Sequence, residues 1–101
     1  MVQAESTITI EDLRARRQEI LRNANDYGAN NVRVVGSVAR GQARAARDVD
    51  FLVEFEPGRT VLDLSGLIVD LEDALGRDVH VVEIRRPSPT AGRIQREAIP
   101  L

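Results

Sequence analysis

The chain has 101 residues, with 16 acidic and 14 basic side chains and a net charge of -2, which leaves room for one core and supplies no global basic field for a nucleic-acid backbone. There is no cysteine, which excludes disulfides, thiolate metal sites and thiol nucleophiles, and every basic residue is arginine, which excludes the lysine chemistry of a P-loop or a Schiff base. No apolar run is long enough to span a membrane and Met1 to Glu5 is polar rather than a secretory leader, so a cytoplasmic location without a membrane partner is expected.

Thr9 is a natural N-cap for a first helix, with Glu11 and Asp12 in the first turn where they complement the helix dipole. Leu13, Ile20, Leu21, Ala24 and Tyr27 follow at roughly helical spacing, and Gly28 supplies the stop. Asn31 to Val35 reads as a short strand because its valines favour extended backbone, and Gly36 ends it. A short helix comes next. Val49 to Phe55 reads as a second strand closed by the Pro57-Gly58 turn. Thr60 caps a long helix with Asp63 as reciprocal partner, Val61, Leu64, Ile68, Leu71 and Leu75 fall on one face, and Gly76 ends it. Val79 to Ile84 reads as a third strand, Pro87 and Pro89 break the chain, and Thr90 to Ala98 reads as a last short helix. This alternation predicts one α/β (α+β) domain over residues 1–101, a small sheet of three to four strands with helices against it.

Two features carry chemistry. In Gly36-Ser37 the glycine lets backbone approach a ligand closely, and a serine opening a helix presents its hydroxyl and the free first-turn amides to one point, an anion site. The competing reading is that Ser37 only caps the short helix. Asp48 and Asp50 alternate along a strand, so both carboxylates point to one face while Val49 and Phe51 point to the other. Two carboxylates so close repel unless a cation sits between them. With no soft ligand beside them, the metal they suit is Mg2+, which combines one or two carboxylates with substrate phosphates. The competing reading is a pair of solvent-facing aspartates at a strand entrance, against which stands the apolar run Phe51-Leu52-Val53 that follows directly.

Taken together, Gly36-Ser37-Val38-Ala39-Arg40-Gly41 followed by Asp48-Val49-Asp50-Phe51-Leu52-Val53 resembles the signature of the minimal nucleotidyltransferases, the MNT domains of the DNA polymerase β-like superfamily. The resemblance runs from about Asn31 to Leu101 and includes the closing segment Ile94 to Leu101. It implies a palm-like mixed sheet and a nucleoside triphosphate, ATP, held at Gly36, Ser37 and the following amides. It also implies Mg2+, with room for a second ion, bridging the phosphates to Asp48 and Asp50, and transfer of AMP to a protein hydroxyl with loss of pyrophosphate. Members of this family resembling the chain act as antitoxins to HEPN-domain ribonuclease toxins, so a HEPN toxin is the expected partner, in a homo- or hetero-oligomer, with nucleic acid not expected.

Arg40, at i+3 from Ser37, is positioned to contact phosphate or to remain an exposed arginine with no specific contact. The position before the first aspartate is usually serine in the family and is Arg47 here. The family's third carboxylate is replaced by His80, within Gly76-Arg77-Asp78-Val79-His80-Val81-Val82. Two readings of His80 stand. A neutral imidazole, with an ordinary pKa of ~6.5, suits a general base or a nitrogen ligand to the metal. As a structural residue it would instead leave a degenerate site, and the protein would neutralise its toxin by binding alone. Asp78 shares the face of His80 and is a substitute carboxylate if the strand is shifted or bulged, whereas Glu83 lies on the opposite face.

Overall fold

The computed structural model describes residues 8–41, 48–84 and 96–101. Thr9 caps α1 (Ile10–Ala15): its hydroxyl accepts from the Asp12 amide while the Asp12 carboxylate accepts from the Thr9 amide. The sequence pattern predicts one helix running to Tyr27. Instead the backbone leaves helical geometry at Arg16 (φ -109°, ψ 19°) and resumes as α2 (Arg17–Asp26). At this break the Arg16 guanidinium donates to the Ala74 carbonyl in the last turn of a neighbouring helix, where a cation complements the dipole. Leu13, Ile20 and Ala24 are buried as expected, and Leu21 packs on the core from its edge.

Gly28 (φ 77°) turns the chain into β1 (Ala29–Val35), which starts two residues earlier than the valine pattern indicates. The pairing register of β1 shifts between Asn30 and Arg33, and Asn31 adopts a positive φ of 51° there, so a bulge absorbs the extra length. After α3 (Gly36–Ala39) comes β2 (Val49–Phe55), with the bounds the sequence predicts. β2 is central to the sheet and Val49, Phe51, Leu52 and Val53 are all buried, which is why its apolar run is continuous rather than alternating.

Thr60 caps α4 (Val61–Leu75) with a capping box to Asp63, and Gly76 closes it in the left-handed region at φ 69°. The inward face of α4 differs from the predicted stripe. Leu67 and Leu71 are buried, Leu64, Ile68 and Leu75 are partly so, and Val61 is 68% exposed. The helix is rolled toward α2, and at the contact a β-carbon on Gly66 would overlap the Tyr27 ring, whose hydroxyl donates to Asp70 Oδ2 at 2.8 Å. Tyr27 therefore continues the stripe as expected, packing on the core, and also binds the end of α2 to α4.

β3 (Val79–Glu83) pairs with β2 in parallel, the crossover being α4. Of the predicted last helix, Arg96 and Glu97 are helical and the part from residue 90 to 95 lies outside the described residues. β4 (Ile99–Pro100), which the sequence pattern does not indicate, pairs antiparallel with β1. Pro100 is tolerated because β4 is an edge strand. The sheet order is β3-β2-β1-β4 with β1 and β2 antiparallel, a mixed four-stranded sheet. No helix among the described residues is long and apolar enough to cross a membrane.

Candidate functional site

β1 delivers the chain to the site at Val35, the register partner of Asp50 on β2. Gly36 follows with φ 75°, a conformation that costs a side-chain-bearing residue about 1–2 kcal/mol. A second constraint also selects glycine, because a β-carbon there would overlap Asp50 Oδ2. The Asp50 carboxylate is thus seated directly against the turn that opens α3. Ser37 is not the N-cap: that position is Val35, in extended geometry and without a side-chain cap, so Ser37 stands inside the first turn. This removes the capping explanation for the serine.

Arg40 closes α3 as its C-cap, its amide donating to Gly36 O at 3.1 Å. Its guanidinium lies 3.7 Å from the Glu97 carboxylate, both side chains being about half exposed. Sequence reading missed Glu97, which carries no local signal because its partner lies in a distant part of the chain.

Asp48 directly precedes β2, and Val49 begins the parallel pairing by donating to Asp78 O at 3.1 Å. His80 on β3 is the register partner of Asp50. Its Nε2 lies 3.4 Å from Asp48 Oδ2, with side-chain exposures of 62% and 48%. One end of three adjacent strands therefore presents Gly36, Asp50, Asp48 and His80 in spatial sequence. Asp78 engages β2 through its backbone carbonyl and its side chain is exposed just before β3, and Glu83 stands opposite Val53 at the far end of that strand. Arg47 lies outside the described residues.

The donor set of two carboxylates and one imidazole suits a divalent cation. Among the described residues no three or more His, Cys, Asp or Glu side chains gather tightly enough to hold a metal ion alone. A divalent cation at these carboxylates would need further oxygens, such as those of a bound phosphate, to complete its shell. A separate open hollow of about 550 Å³ at the α1–α2 junction is lined by Arg14, Arg16, Arg17, Glu19 and Arg22, among others, and by none of these site residues.

Comparison with known proteins identifies relatives. The profile of the nucleotidyltransferase domain matches residues 16–98. A candidate protein adenylyltransferase of Methanocaldococcus jannaschii is 36% identical over 74 residues, 72% of this chain and 80% of that protein. A solved candidate minimal nucleotidyltransferase is 48% identical, with a TM-score of 0.80 over 96% of this chain and all of the other. The fold also recurs, at 19% identity and a TM-score of 0.59, in a complex of the tri-AMPylated HEPN toxin of Shewanella oneidensis with its MNT antitoxin, over 80% of this chain and 63% of that one.

Proposed function

The chain belongs to the nucleotidyltransferase domain family, and on that premise we propose that it is a single minimal nucleotidyltransferase domain over residues 1–101 that moves AMP from ATP to a protein hydroxyl. The acceptor is a HEPN ribonuclease toxin, which the protein restrains as antitoxin in the cytoplasm. The observation that carries the reading is the contact of the Asp50 carboxylate with Gly36, because it joins the acidic strand end to the turn that would receive phosphate.

In this reading the Gly36 turn admits the triphosphate close to backbone, and the Ser37 hydroxyl and neighbouring amides orient it. Arg40 joins the phosphates by exchanging the exposed Glu97 carboxylate for a phosphate oxygen. Asp48 and Asp50 would hold a divalent cation, Mg2+ or a chemically similar ion, which would supply charge neutralisation of the phosphates. The acceptor oxygen attacks the α-phosphorus, the bond to the bridging oxygen breaks and pyrophosphate leaves. The acceptor proton is released at an end of the sheet that is open to solvent.

One observation favours a second reading. His80 stands 3.4 Å from Asp48 Oδ2 where the family resemblance implies a third carboxylate, which suits a site that no longer transfers and a protein that neutralises its partner by binding alone. Incubation with labelled ATP, a divalent cation and the toxin encoded beside this chain separates the two. Label on the toxin, lost in Asp48→Ala/Asp50→Ala together with neutralisation, is the expected result. No label, under conditions in which another family member labels its own target, contradicts transfer, and neutralisation retained by the double variant establishes the second reading.

A further inference from the structure

Resting on that reading of the site, we propose that His80 makes it selective for a first-row transition dication, Mn2+ or Co2+, over Mg2+, with Asp48 and His80 acting as a mixed oxygen and nitrogen pair on one ion. The separation of 3.4 Å between Asp48 Oδ2 and His80 Nε2 is longer than the 2.7–3.2 Å of a well-formed N–H···O hydrogen bond. Neighbouring octahedral donors about 2.1 Å from one ion lie about 3.0 Å apart, so two exposed side chains already 3.4 Å apart need close only slightly to share an ion.

The backbone supports this use of the pair. Parallel pairing puts His80 level with Asp50 and anchors Asp48 through the Val49 amide and Asp78 carbonyl, so both donors are carried by adjacent paired strands. Their half-exposed side chains leave the approach open to substrate oxygens, which must complete the shell because the described residues offer no three-ligand cluster. An imidazole nitrogen in that shell changes the preference among ions. Mg2+ strongly favours oxygen and dehydrates reluctantly, whereas first-row transition ions gain affinity from nitrogen.

The test is calorimetric binding of the non-hydrolysable ATP analogue AMP-PNP to the full chain in MnCl2 and in MgCl2, for the wild type, His80→Ala and His80→Asp, with thermal melting to confirm folding. The wild type is expected to bind the analogue about tenfold more tightly with Mn2+ than with Mg2+. His80→Ala is expected to bring that ratio close to one, chiefly by weakening the Mn2+ arm, and His80→Asp to strengthen the Mg2+ arm. A ratio unchanged by His80→Ala overturns the proposal and leaves the nucleotide site standing. Absence of AMP-PNP binding by the wild type with either metal overturns both.

Discussion

Gly28 and Gly36 bracket β1, one at each end, with φ values of 77° and 75°, and each lies so close to charged side chains that a β-carbon would overlap them: Arg59 and Glu56 at Gly28, Asp50 at Gly36. At the Gly28 end the charges are matched. Arg59 bridges Glu56 and Asp63, with Nε–Oε2 and Nη1–Oδ1 distances of 2.8 and 3.2 Å. The Asp63 carboxyl is held below its usual range chiefly by the Thr60 amide and also by Arg59, and these carboxylates hold the Arg59 guanidinium above its ordinary value. At the Gly36 end two aspartates stand on one strand entrance, and the ionic partner that the described residues give them is a half-exposed histidine at Asp48. The same backbone device closes a structural network at one end. At the other, among the described residues, the ionic partner of the two carboxylates is His80 beside Asp48, and like charges held close on one strand entrance are the condition under which a bound cation is favoured.

That contrast is most directly broken by exchanging function for stability. Asp50→Ala is expected to lower AMP transfer on the order of 100-fold, the scale of removing one group that stabilises transition-state charge, while leaving the melting temperature unchanged or raised. Arg59→Ala should do the reverse, reducing thermal stability and sparing transfer. Equal effects of the two variants on both measurements would erase the distinction between the ends. Next in size come the glycines. Gly28→Ala and Gly36→Ala should each lower the unfolding free energy by about 1–2 kcal/mol in urea titration, from the left-handed backbone alone, with nucleotide affinity falling only in Gly36→Ala. A smaller loss, about 1 kcal/mol, is expected for Thr60→Ala, which removes the α4 cap, again without change in nucleotide binding.

The smallest effect is in pH dependence. Because the folded Asp63 carboxyl titrates below its unfolded value of 3.8, its stabilisation is present above that value and is lost as pH falls through the lower folded pKa. Asp63→Asn should therefore flatten the acid limb of a stability–pH curve below about pH 4 and leave its slope at neutral pH unchanged. An acid limb identical to wild type would remove Asp63 from the network.

Features set by local chemistry were legible in the sequence, and features set by packing were not. The Thr9 and Thr60 caps, the Gly76 stop and the bounds of β2 follow from residues within a turn of one another, and each is found where predicted. The break at Arg16 coincides with a long-range contact to the Ala74 carbonyl, and the face of α4 that buries Leu67 while leaving Val61 exposed packs beside the contact of Tyr27 with Gly66, neither of which has a periodic signature. β4 is two residues long and contains proline, so propensity argued against it, and only pairing with β1 makes it a strand. At the site, alternation placed Asp48 and Asp50 on one strand entrance. The approach of Asp48 to His80 required the parallel register of β2 and β3, and the seating of Asp50 on Gly36 required the antiparallel register of β1 and β2.

Backbone amide shifts of the isotopically labelled chain, followed as AMP-PNP is added with a divalent cation, test the central claim most directly. The account predicts the largest perturbations at Gly36, Ser37, Asp50 and His80, all lost in Asp48→Asn/Asp50→Asn, and none at Gly28 or Arg59. Perturbations centred on Gly28 and Arg59 or on the arginines of the α1–α2 junction, or a double variant that responds like the wild type, would contradict it.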